Sequence, residues 1–266
     1  MGRRETHTIL FYLCDSLVCE GLAYMHYSYT PLKLASVPLS VEDIGKGPCN
    51  IADVLASVSK DSELIDSTKT MSKSEEYAQL KIGGFPRRAK YLFDYRADDL
   101  LRYIYRIKIP GIQEMENEDI EEQRDELLRW LLDSAITVYA LIDKHDFFLL
   151  HGVTAAWSLL QLGPVGVGKS RQLTLELVTT FLCVLLAAYI SQGAPKLSPE
   201  LLDDEDHREP TTWSSLLDST LAENRDEHVY KLIQICHELS HETDNQQLQK
   251  LYFRAALRAI EEPFQY

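Results

Sequence analysis

Apolar positions recur at helical spacing along most of this chain. Leu17, Glu20, Gly21, Tyr24 and Tyr27 fall on one stripe at spacings of three and four. Pro31 ends that element, and a loop containing Pro38, Gly45, Gly47 and Pro48 follows. Asn50 is placed to cap a short helix over 51–58. Residues 59–74 are rich in Ser, Lys and Asp and predict a mobile surface loop. From Tyr77 onward one helix follows another. The pattern gives 88–107, with Tyr91, Leu92, Tyr95, Leu101 and Ile104 on a broad face. After Pro110 and Gly111, the acidic stretch 114–122 suits a helix N-terminus, and that helix runs to about Asp143. Helices over 145–162, 171–192, 225–242 and 245–261 complete the set, with Gly193, Ala194 and Pro195 as a stop. No alternating strand and no internal repeat emerges. The expected fold is all-α, a multi-helix bundle in a single domain over 1–266.

Composition adds bounds rather than detail. With 266 residues, 45% of them hydrophobic, the chain has material for a large core. Its net charge of −14 is spread over many helix faces, which disfavours nucleic acid and anionic lipid as partners. The longest apolar run, 177–190, suits a buried core helix better than a membrane span. The apolar stretch 9–14 behind Arg3 and Arg4 is too short for a signal-peptide core. Five cysteines (Cys14, Cys19, Cys49, Cys183, Cys236) are widely spaced without a CxxC, which argues for a reducing compartment, the cytoplasm.

Two short motifs suggest chemistry. Gly163, Gly168, Lys169 and Ser170 match the phosphate loop GxxxxGK[ST], which needs a strand before it and a parallel sheet around it. The preceding segment reads as a helix, so the expectation is an interhelical loop that binds no nucleotide. His237, Glu238 and His241 match HExxH on a helix, with Glu261 or Glu262 as a distal third ligand. The charged Glu242 and the missing strand-rich cleft lead us to expect that His237 and His241 do not ligate zinc.

Three further segments carry a resemblance. They run over 17–26, from Leu17 through Glu20 and Ala23 to His26; over 146–154, from Asp146 through His151 to Thr154; and over 226–231, from Asp226 through His228 to Lys231. With Phe181, Cys183 and Tyr189 between them, they resemble the questin oxidase-like family over 17–231. The resemblance implies an oxidoreductase, of the type of fungal oxygenases acting on aromatic polyketides such as anthraquinones. It implies a mononuclear non-haem Fe(II) held by histidines and a carboxylated lysine, with NADPH as electron donor and a small aromatic substrate. Carried over by position, the metal ligands are His26, His151, His228 and Lys231. They are expected to converge on one interior cavity. The residues agree in part. His228 and Lys231 are three apart on a helix and project together, and Tyr24, Tyr27 and Tyr29 around His26 suit a flat substrate. Residues 1–16 depart from the family, whose members are generally longer and carry further histidines there, whereas only His7 precedes this match. Two other readings stand beside the oxidoreductase: a zinc peptidase on His237, Glu238 and His241, and a non-catalytic helical scaffold or inactive shortened form.

Overall fold

A computed structural model describes residues 43–71, 73–78, 84–115, 120–143, 145–163, 170–198, 212–223 and 225–261. All of them belong to one compact unit, Val37–Tyr266. His26 and the stripe around it lie outside the described residues, as do Cys14, Cys19 and most of the GxxxxGK[ST] segment.

The elements in chain order are α1 Ile51–Val58, α2 Ser62–Met71, α3 Glu75–Ala78, α4 Gly84–Tyr95, α5 Ala97–Ile104, α6 Ile120–Leu141, α7 Phe147–Leu162, α8 Arg171–Ser191, α9 Trp213–Ala222, α10 Glu227–Glu242 and α11 Gln246–Glu261. The fold is all-α, and among the described residues only isolated bridges such as Cys49 to Ile107 pair extended backbone.

Local chemistry sets most of these boundaries. The Asn50 side chain accepts from the Asp53 N–H and starts α1 as its sequence implies. Gly193 and Ala194 take positive φ (86° and 50°) and end α8 at the expected stop. Two expectations need correction. Residues 62–71 are helical rather than a mobile loop: Asp61 accepts from the Leu64 N–H, and Leu64, Ile65 and Thr68 turn one face inward. The expected helix 88–107 is two helices. They break at Arg96 (φ −127°, ψ 21°), where its guanidinium binds Asp99 at 2.5 Å and Ser67 at 2.8 Å. The capping box of Thr212 and Ser215 builds α9, which the apolar pattern did not reveal.

The core is centred on α8, which packs against α2, α4, α5, α6 and α7. By length and composition α8 could cross a membrane, but 72% of its apolar window is buried within the fold, as expected of a core helix. Cys49, Cys183 and Cys236 are free thiols. Burial pushes Cys183 up to about 12 and Cys236 higher still, so neither is a nucleophile near neutral pH.

One buried cation fixes the approach to α7. Arg258 on α11 is 4% exposed. Its Nη1 donates to the Ala140 carbonyl at 3.4 Å and to the Ile142 carbonyl. The guanidinium thus closes the C-terminus of α6, whose last carbonyls lack helical partners. That holds the turn from which α7 departs.

Candidate functional site

Both His151 and His228 are placed by an aspartate cap. Asp146 is buried and accepts from the N–H groups of Phe148 and Leu149, both at 2.9 Å, starting α7. Asp226 accepts from the His228 N–H at 2.9 Å and starts α10. Each cap determines which turn of its helix carries the histidine. Gly152 lets α7 lie close on α8, because a Cβ there would stand 2.9 Å from Leu185.

Helices α7 and α10 pack together and bring three rings into a triangle. Ring centroids lie 4.9 Å apart for His151 and His228, 4.6 Å for Phe147 and His151, and 4.8 Å for Phe147 and His228. Hydrogen bonds then settle which nitrogens are available. His151 Nδ1 lies 2.8 Å from the Phe147 carbonyl, which can only accept, so Nδ1 carries the proton. His228 Nδ1 lies 2.6 Å from Asp226 Oδ1. The backbone hydrogen bond from His228 and the neighbouring imidazole hold the Asp226 carboxyl below its ordinary range. It therefore stays an ionised acceptor, and Nδ1 of His228 is the donor. With Nδ1 engaged in each ring, Nε2 is the nitrogen left for a ligand, the arrangement that orients metal-binding histidines.

The described part of the expected set divides. His151 and His228 meet, but at a surface-accessible seam rather than in an interior cavity: the His151 residue is exposed and the His228 side chain is 19% exposed. Lys231 does not join them here. Its Nζ pairs with Glu227 Oε1 at 3.0 Å, with both side chains more than half exposed. The ammonium is solvated and charge-paired, so nothing draws it between the rings. His26 lies outside the described residues. Asp226 and Phe147 fall within the matched segments, yet sequence reasoning assigns them no role. The signal was an aspartate two residues before His228, an N-cap spacing.

The other motifs also have their places. Leu162 ends a helix and Ser170 caps the next, so a helix stands where a phosphate loop requires a strand. His237 and His241 share a face of α10 with ring centroids 4.4 Å apart. Glu238 accepts from Gln234 Nε2 at 3.0 Å, and Glu242 pairs with Arg129. Among the described residues no group of three or more His, Cys, Asp or Glu side chains is arranged to hold a metal.

No curated protein matches this chain significantly. The family model described as questin oxidase-like matches residues 13–236, which include the caps, His151 and His228, and the chain belongs to that family.

Proposed function

We propose that this chain is a cytoplasmic oxygenase or oxidase of small aromatic, polyketide-type substrates, working where α7 meets α10. One observation carries the reading. Two imidazoles from separate helices meet beside Phe147 with both Nδ1 atoms engaged, which leaves both Nε2 lone pairs to a ligand.

Two such imidazoles fit Fe(II), whose remaining positions stay open to water, O₂ or substrate. Iron held there would supply O₂ activation, and NADPH would supply electrons. Lys231 fits less directly. As an ammonium it has no lone pair, so it enters the set only by leaving Glu227 and taking up CO₂ as a carbamate. The chain's own contributions are simpler. Asp226 and the Phe147 carbonyl hold the two protons away from the ligand side. The Phe147 ring lies beside both imidazoles, where it would help to seat a planar substrate.

Oxygen uptake by the Fe(II)-loaded protein with NADPH and a hydroxyanthraquinone panel tests the proposal. Substrate-dependent uptake, lost in His228→Ala, is expected. Absence of uptake by the wild type across the panel would contradict it.

A further inference from the structure

The C-terminal half of α10 carries a second pair of imidazoles that the oxidoreductase reading does not use. His237 and His241 are one helical turn apart, and their rings are tilted by 59° at 4.4 Å between centroids. His241 Nδ1 lies 2.8 Å from the His237 carbonyl, so it carries the proton and Nε2 keeps the lone pair. The His237 ring packs edge-on against Trp213 at 5.1 Å. Neither of its nitrogens has a hydrogen-bond partner among the described residues. Burial, and then the neighbouring His241, hold His237 below its ordinary pKa, which keeps the ring neutral at pH 7. The adjacent carboxylates are engaged elsewhere, Glu238 with Gln234 and Glu242 with Arg129.

We infer that His237 and His241 form a two-point surface chelate for a borderline divalent transition-metal cation such as Cu²⁺, Ni²⁺ or Zn²⁺. The helical turn sets the spacing of the two donors, imidazole suits these cations, and water completes the coordination. The site is independent of the pair at His151 and His228. Among the described residues the two imidazoles are its protein ligands, and the proposal is one of binding. Glu242 and the lack of a strand-rich cleft, which speak against zinc in the sequence, bear on a peptidase. Neither prevents chelation, and Glu242 is turned toward Arg129.

Trp213 makes the site observable, since bound Cu²⁺ quenches a nearby indole. Cu²⁺ is titrated into the full-length protein, with tryptophan fluorescence and equilibrium dialysis as readouts. Saturable quenching reversed by EDTA is expected. His237→Ala and the exposed His241→Ala should each weaken Cu²⁺ binding by more than the roughly 10- to 100-fold that losing an outer-shell partner costs a metal site. The double variant His151→Ala/His228→Ala should leave the quenching midpoint in place. Trp213→Phe should remove the quenching but retain the bound copper. An unchanged midpoint in folded His241→Ala, or no saturable quenching of the wild type, overturns the inference.

Discussion

The two histidine pairs have nearly the same ring separation and opposite origins. His237 and His241 meet because one turn of one helix forces them together. His151 and His228 meet only because α7 and α10 each start at the correct residue and then pack against each other. The first geometry survives wherever α10 is helical. The second depends on two caps, a helix–helix contact and the Arg258 closure of α6. The proposed shared ligand rests on this second juxtaposition, which local geometry alone does not supply.

The largest effect should come from breaking the longer-range pair at its root. Asp146→Ala removes a buried cap serving two N–H groups and takes a counter-charge from Arg88. We expect about 2 kcal/mol of destabilisation in chemical denaturation. The contact between His151 and His228 should loosen while the signals of His237 and His241 stay in place. Equal perturbation of both pairs would remove the contrast.

Asp226→Ser is subtler. Serine caps as well as aspartate, but it removes the carboxylate from His228 Nδ1. Stability should hold while Fe(II) affinity falls roughly 10-fold or more, as for an outer-shell partner. Unchanged affinity would show that Asp226 only caps.

A third test reads protonation. His237 should titrate below the ordinary histidine value because burial, then His241, disfavours its cation. The unfolded chain then binds more protons between the folded and unfolded pKa values. The contribution of His237 to stability is thus complete above the unfolded value and is lost as pH falls through the folded one. NMR of ring protons should show this depression relax toward the ordinary value in Trp213→Ala; no change would mean that Trp213 does not shield it.

The smallest effect belongs to Lys231→Ala. An exposed pair such as Lys231 and Glu227 contributes little to stability, and iron content should be unchanged, because Lys231 stands outside the imidazole pair. Loss of iron in this variant would restore Lys231 to the ligand set.

The sequence makes the helices readable where punctuation is chemical. Asn50 starts α1 and Gly193 ends α8, where side chain or backbone forces the boundary. It hides what tertiary packing decides. The break at Arg96 has no proline or glycine to announce it and is set by contacts with Asp99 and Ser67. The helix Ser62–Met71 sits in a polar stretch whose three inward residues are overlooked until a core receives them. At the site, only the family resemblance singled out His151 and His228. Their Nδ1 partners were invisible because a histidine tautomer is fixed by neighbours in space, here a main-chain carbonyl and a capping carboxylate.

The most direct test is iron content after anaerobic Fe(II) loading and desalting, compared between the two double variants. Wild type and His237→Ala/His241→Ala should retain the same stoichiometric iron, and His151→Ala/His228→Ala should retain none. Full iron retention in folded His151→Ala/His228→Ala would contradict the account.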